Sequence, residues 1–117
     1  MSKLTRITAN KVVGTTLTKK TEIPFVVSFR RKLIDGYRLS DLEKKDVRQL
    51  QKFLDIASEL SVQQMDEAYS RPTDSNDKFN GQQVQHYGVG DCFRIHGVFE
   101  NQRFEVIRID PNHRKHR

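Results

Sequence analysis

Residues 91–117 read DCFRIHGVFENQRFEVIRIDPNHRKHR, and this stretch decides the fold that the sequence predicts. Between residues 92 and 99 the side chains alternate between two unlike sets, the period-2 pattern of a β-strand with two different faces. The turn is expected at Glu100-Asn101, because Asn tolerates the positive φ of a tight hairpin turn. The return strand spans residues 102–109 and stops before Pro111, which cannot donate to a β-ladder. The stretch therefore predicts a β-hairpin followed by a basic, histidine-rich tail.

Cations and imidazoles are concentrated in this hairpin and its tail. Residues 84–89 form a short predicted strand that leads into the hairpin and adds one imidazole and one phenol. A cationic surface with titratable imidazoles suits a polyphosphate substrate. The candidate functional residues of the region are His86, Tyr87, Arg94, His96, Arg103, Arg108, His113, Arg114, Lys115 and His116.

Length and composition indicate one small domain. We expect residues 1–22 to form a flexible basic arm and residues 23–117 to form a single α+β domain. No apolar run reaches the roughly 18 residues that a membrane helix needs, and the N-terminus lacks the apolar core of a signal peptide. The single cysteine, Cys92, excludes an internal disulfide framework and fits a reducing compartment. The chain is therefore predicted to be cytoplasmic, with no membrane partner.

The charge is positive and unevenly distributed. The formal net charge is +6 and the pI is about 9.7. Basic residues dominate residues 1–40 and 101–117, whereas acidic residues dominate residues 41–100. Two basic ends favour a polyanionic partner, either a nucleic acid or an acidic protein.

The preceding part of the chain predicts one strand and two helices. Residues 23–29 are β-branched and aromatic, as in a strand. A capping box at Ser40–Glu43 predicts the start of an amphipathic helix that runs to about Leu60. Its inner face is expected to be built around Val47, Leu50, Leu54 and Ala57, and its mixed-charge outer face is expected to be solvated.

A second helix and a long loop complete the pattern. Residues 61–64 form another capping box, so the helix is expected to break and restart there. Residues 71–83 are rich in Pro, Asp, Ser, Asn and Gly, which predicts a loop. His113 and His116 have no third ligand in register, so we predict no metal site.

Three motifs resemble the RelE/ParE superfamily of bacterial toxins. Residues 90–95 resemble the family's G-x-x-x-R-I motif, residues 103–109 resemble its f-x-V-x-x-I return strand, and His113-Arg114 resemble its terminal H-R. The likeness in sequence covers roughly residues 84–117, and the order of elements is similar over the rest. The chain departs from the family in the insert at residues 110–112, in its N-terminal arm and in the absence of a tyrosine from the tail.

The resemblance implies a fold and an activity. The fold would be an N-terminal strand, two helices and a three-stranded antiparallel sheet with a terminal β-hairpin. The activity would be metal-independent and cofactor-free cleavage of mRNA, on the ribosome, by a toxin that an acidic antitoxin protein holds inactive. A base would take the ribose 2′-OH proton, cations would stabilise the phosphorane, and an acid would protonate the leaving 5′-oxygen.

Each candidate residue has an expected role in this chemistry. Arg94 is the expected phosphate clamp and His113 the leading acid or base, with His96 or His86 as the second and Arg114 beside them. Tyr87 would stack on a base. Phosphate contacts are assigned to Arg103, Arg108, Arg114, Lys115 and His116.

Other interpretations of the same residues remain open. Arg94 could instead pair with Glu105, Arg108 could pair with Asp110, and His96 could line a half-buried face. The whole chain could be a non-catalytic module that binds nucleic acid or an acidic protein. It could also be a gyrase-directed toxin of the ParE type.

Overall fold

The computed structural model describes residues 23–90 and 92–112. The predicted arm at residues 1–22 and the tail residues His113, Arg114, Lys115 and His116 lie outside the described residues. The elements are β1 (Val26–Ser28), α1 (Lys44–Ala57), α2 (Val62–Tyr69), β2 (Ser70–Arg71), β3 (Lys78–Phe79), β4 (Gln82–Gln83), β5 (Gln85–Tyr87), β6 (Arg94–Glu100) and β7 (Arg103–Asp110).

Within residues 23–90 and 92–112 the chain has an α+β fold with two α-helices and a five-stranded mixed sheet. The strand order is β1-β7-β6-β5-β2, in which β1 runs parallel to β7 and the other neighbours are antiparallel. The α+β class is therefore confirmed. The three-stranded antiparallel sheet that we predicted is extended at both edges, because β1 joins its parallel partner β7 and β2 pairs with β5.

The predicted loop at residues 71–83 contains a small hairpin. Strands β3 and β4 pair through a turn at Asn80 and Gly81, with φ values of 50° and 82°. Positive φ at both central residues is the geometry of the tight hairpin turn that Asn-Gly favours. The loop prediction was wrong here, since this Asn-Gly signal outweighs the low strand propensity of its flanks.

Helix α1 begins later than predicted. Ser40 lies inside a 3₁₀ turn, Leu39–Asp41, whose start is capped by the Asp41 carboxylate. The α-helix is capped by a second box, in which the Asp46 carboxylate accepts from the Glu43 N–H at 2.9 Å. Two boxes follow one another at residues 38–41 and 43–46, and the second opens the α-helix.

The restart of the helix at Ser61 is confirmed. The Ser61 Oγ accepts from the Gln64 N–H at 3.2 Å, and the Gln64 side chain accepts from the Ser61 N–H at 2.9 Å. The junction also fixes the entry to β1, because the Phe25 N–H donates to the Leu60 carbonyl and the Val62 N–H donates to the Ile23 carbonyl. These hydrogen bonds hold the junction between the two helices against the chain segment that leads into β1.

The main core lies between the helices and one face of the sheet. Phe25 is its centre, with ring contacts to Phe53, Tyr87, Phe99 and Phe104. The buried residues of α1 in this core are Leu50, Phe53 and Ala57, whereas Val47 is 51% exposed, contrary to our prediction.

The terminal hairpin is present, with its turn one residue later than predicted. Glu100 pairs with Arg103, so Asn101 and Gln102 are the turn residues, with φ values of 54° and 65°. The first strand begins at Arg94 rather than at Cys92, which is exposed. In the part of the chain that the structure describes, no helix has the length and apolarity needed to cross a membrane.

Candidate functional site

The sheet face opposite the helices carries the polar residues of the hairpin. On the helix side, Ile95 and Ile109 are partners and belong to the main core. Since successive side chains of a strand point to opposite faces, Arg94 and His96 lie on the other face. There His96 is paired with His86 of β5 and with Arg108 of β7. Arg94, His96 and Arg108 therefore share one face of the sheet.

A β-bulge brings Arg108 to this face. His96 pairs with Arg108 and Gly97 with Val106, so Ile107 is left without a partner in the ladder. Gly97 allows the close approach, because a Cβ there would lie 2.4 Å from the Glu105 carbonyl oxygen. The extra residue bends β7 locally, as β-bulges do. The consecutive side chains of Ile107 and Arg108 therefore face the same side of the sheet.

Four of these side chains form a cluster that we call the polar cluster: Asp77, His86, His96 and Arg108. The Asp77 Oδ2 lies 2.5 Å from the Arg108 Nη2 and 3.3 Å from the His86 Nε2. The His86 ring stacks on the His96 ring, with centroids 3.8 Å apart and an interplanar angle of 16°. The cluster is therefore one connected arrangement of a carboxylate, a guanidinium and two imidazoles.

The polar cluster is closed to large ligands. His86 is 2% exposed, His96 is 0% exposed and Arg108 is 4% exposed. Next to it, Val84, Val98 and Ile107 form a second apolar group, covered by Ile34 and Phe79. A buried charge needs a partner and hydrogen bonds, which Asp77 supplies to Arg108. The arrangement therefore anchors the β3–β4 hairpin to the sheet, and it does not present an imidazole to a polynucleotide.

Asp77 is the residue that the sequence analysis missed. It lies in the stretch that we predicted to be a loop, far in sequence from Arg108. No local pattern marks it, since one of several Asp residues in a turn-rich segment has nothing to distinguish it. Its carboxylate replaces Asp110, which we had considered as the partner of Arg108. That alternative was wrong because the bulge turns Arg108 toward the β3–β4 hairpin.

Arg94 lies at one end of the same face, at the start of β6. Its Nη1 donates to the carbonyl of Phe93 at 2.9 Å and to that of Gly90 at 3.4 Å. The side chain passes over Gly88, where a Cβ would lie 2.8 Å from the Nη1. Arg94 is 9% exposed. In the strand register its backbone lies opposite that of Asp110 in β7. The guanidinium therefore lies at the strand end from which the chain continues to residue 113.

Arg103 lies at the opposite end of the hairpin from Arg94. It pairs with Glu100 beside the turn, and β6 separates that position from Arg94 by about 20 Å at ~3.3 Å per residue. The Arg103 Nε is 3.1 Å from the buried Glu105 carboxylate, which also accepts from the Ser28 Oγ at 3.1 Å. Glu105 is thus held by this group, so the alternative pairing of Arg94 with Glu105 was wrong.

Tyr87 lies on the helix side of the sheet. Its ring is 1% exposed among Phe25, Phe99 and Phe104, and its hydroxyl donates to the Asp66 carboxylate. Burial, followed by the hydrogen bond and the charge of Asp66, raises the pKa of the Tyr87 hydroxyl. A cavity of about 400 Å³ adjoins it between α2 and the hairpin. Tyr87 is therefore separated by the sheet from Arg94, and in this structure it does not offer a face for base stacking.

Comparisons of the chain with protein-family models, with curated proteins and with solved structures found no match. Among residues 23–90 and 92–112, no group of three or more His, Cys, Asp or Glu side chains is arranged to hold a metal ion. The assignment of function therefore has to come from the site itself and from the motifs.

Proposed function

We propose that the chain is a toxin of the RelE/ParE type that cleaves mRNA without a metal ion or cofactor. The observation that carries the proposal is the strand register, which places Arg94 of β6 opposite Asp110 of β7. It brings the guanidinium of the G-x-x-x-R-I motif to the strand end that leads, after Asn112, to the H-R motif. The order of a strand, two helices and a terminal antiparallel hairpin supports the same family.

The proposed chemistry divides the candidate residues between two tasks. Arg94 and Arg114 would bind the scissile phosphate, because guanidinium groups hold phosphate oxygens by two parallel hydrogen bonds. His113 would exchange the proton of the 2′-oxygen or of the leaving 5′-oxygen. The 2′-oxygen attacks the adjacent phosphorus, the bond to the 5′-oxygen breaks, and the products are a cyclic phosphate and a 5′-hydroxyl.

The buried residues take a supporting role in this proposal. His86, His96 and Arg108 are too deeply buried to contact an RNA strand, so we reassign them from substrate contact to positioning. They tie the β3–β4 hairpin to β5, β6 and β7 and thereby fix the strand that carries Arg94. Lys115 and His116 remain proposed phosphate contacts, and an acidic antitoxin in the cytoplasm remains the proposed regulator.

A second candidate function is a non-catalytic module that binds a polyanion. The observation that favours it is the burial of both described histidines, at 2% and 0% exposure. If the tail imidazoles have no catalytic task either, only cations remain to contact the ligand, and cations are sufficient for phosphate binding.

The test is induced expression in a bacterial host with pulse labelling of protein and DNA synthesis, combined with mapping of mRNA ends. We expect the wild type to stop protein synthesis and to cut mRNA. The Arg94→Ala/His113→Ala variant should do neither, and the control Arg30→Ala, which removes an exposed arginine, should behave as the wild type. Because Arg94 is buried, Arg94→Lys and thermal unfolding of each variant separate loss of chemistry from loss of folding.

Three results would decide against this proposal. Normal growth and intact mRNA with the wild type would favour the binding module. Arrest of DNA synthesis with intact mRNA would favour a gyrase target. A folded double variant that cuts mRNA as fast as the wild type would remove Arg94 and His113 from the site.

A further inference from the structure

The outer face of α1 carries four exposed cations, Lys44, Lys45, Arg48 and Lys52, which we call the basic stripe. At 3.6 residues per turn they fall within about 100° of the helix circumference and extend over ~12 Å of its length. None of the four forms an ion pair with a residue in the described part of the chain. The stripe is therefore a positive surface whose cations make no ion pair among the described residues, with the exposed Asp55 on the same side of the helix.

The positions of these cations do not stabilise helix α1. Lys44 and Lys45 lie in the first turn, where the helix dipole disfavours positive charge. The acid of that turn, Asp46, is buried and serves as part of the cap. The exposed acid on the stripe side, Asp55, accepts a hydrogen bond from Gln51 at 2.7 Å. Lys52 and Asp55 are one turn apart, yet they form no ion pair, so this exterior does not use the charge pairing that would stabilise the helix.

The helix that carries the basic stripe contacts the segment before β6, beside Arg94. Gln49 is one turn from Lys45, and its side-chain amide lies 3.9 Å from the position of a Cβ on Gly90. The Gly90 carbonyl in turn accepts from the Arg94 Nη1 at 3.4 Å. A path of neighbouring residues thus leads from the stripe, through Gln49 and Gly90, to the guanidinium that we assign to the scissile phosphate.

We propose that the basic stripe binds the backbone phosphates of single-stranded RNA next to the phosphate held at Arg94. This inference rests on the proposed function and specifies its substrate as a strand that extends beyond the cleavage point. A row of cations matches a row of phosphates, and such contacts position a strand without reading its sequence. An acidic protein fits less well, because Val47 is the one large apolar side chain of α1 that is exposed beside the four cations, and it offers little area to anchor a protein interface.

The test uses the full chain and a fluorescent oligoribonucleotide with 2′-O-methyl sugars, which binds but cannot be cut. The variant Lys45→Gln/Arg48→Gln/Lys52→Gln removes three cations of the stripe. The control Arg30→Gln/Lys32→Gln/Lys78→Gln removes three exposed cations at the end of β1 and in β3, and both variants lower the net charge equally. Thermal unfolding should be unchanged in both, because all six side chains are exposed.

We expect the stripe variant to bind at least about tenfold more weakly and to lose about 2 from the slope of log K against log salt, at ~0.7 per phosphate contact. The control should retain most of the affinity. Equal losses in the two variants, or wild-type affinity in the stripe variant, would overturn the proposal. So would a stripe variant that binds RNA normally but no longer binds poly-glutamate, since the surface would then suit an acidic protein.

The same proteins separate this inference from the proposed function. If the wild type cuts ordinary RNA and the stripe variant binds RNA with full affinity, the basic stripe is not the RNA contact and the nuclease proposal stands. If the wild type does not cut RNA and the stripe variant has lost RNA binding, the nuclease proposal is wrong and the basic stripe stands as an RNA-binding surface.

Discussion

Replacement of Asp77 by Asn tests whether the polar cluster holds the β3–β4 hairpin on the sheet. The substitution keeps the shape of the side chain and removes its charge. It leaves the Arg108 guanidinium, whose side chain is 5% exposed, without its counter-charge. Breaking a buried ion pair from one side typically costs about 3–5 kcal/mol. For a domain of this size each kcal/mol lowers the Tm by about 4–8 °C, so we expect a fall of at least ~12 °C.

The control for this experiment is Asp35→Asn. Asp35 pairs with Arg38 at 3.4 Å, but its side chain is 85% exposed. An exposed pair contributes about 1 kcal/mol or less, so the Tm should change by no more than a few degrees. The measurement is thermal unfolding followed by circular dichroism at neutral pH, with urea unfolding as a second measure of the free energy.

A paired replacement distinguishes a missing partner from a generally intolerant position. In Asp77→Leu/Arg108→Met both charges are removed together, so no charge is left buried. We expect this double variant to be more stable than Asp77→Asn. If Asp77→Asn is as mild as Asp35→Asn, or if the double variant loses as much as two independent substitutions, the polar cluster does not contribute as we have argued.

Three further substitutions test other parts of the fold. Tyr87→Phe should flatten the alkaline loss of stability: because the folded pKa of Tyr87 is raised, its contribution is complete below about pH 10 and falls above it by up to ~1.4 kcal/mol per pH unit. Urea unfolding at increasing pH measures this, and an unchanged slope in the variant would contradict it. Gly97→Ala should cost about 1–3 kcal/mol in urea unfolding, because its Cβ would lie 2.4 Å from the Glu105 carbonyl oxygen, and wild-type stability would disprove that close approach. Ser61→Ala should lower the stability by about 1 kcal/mol through the lost cap of α2, and a thermal midpoint equal to that of the wild type would show that the cap is dispensable.

Local signals in the sequence were sufficient for the elements whose causes are local. The hairpin follows from alternation, and α2 follows from the Ser61–Gln64 box, since both patterns act within a few residues. The start of α1 was less determinate. The predicted box at Ser40 does not form; Glu43 and Asp46 cap the helix instead, and its residues Leu50 and Phe53 lie in the core.

Long-range contacts account for what the sequence did not predict. Arg108 and Asp77 are 31 positions apart, and no local sequence pattern connects them. The sharing of one face by Arg94 and His96 was predictable from period 2, but their burial was not. Ile34 and Phe79, which cover Val84, Val98 and Ile107, reach the sheet from segments that gave no strong signal of their own.

The position of β7 between β1 and β6 affects how the chain reaches this state. Ser28 and its partner Glu105 are 77 positions apart, so the parallel edge closes the longest loop among the strand pairings. Loops of that length close slowly compared with hairpins. During synthesis β1 and the helices emerge first, and Phe25 and Phe53 have no sheet to pack against until β6 and β7 have been made. Assembly of the core and completion of the Arg94 end of the sheet are therefore one late event in folding.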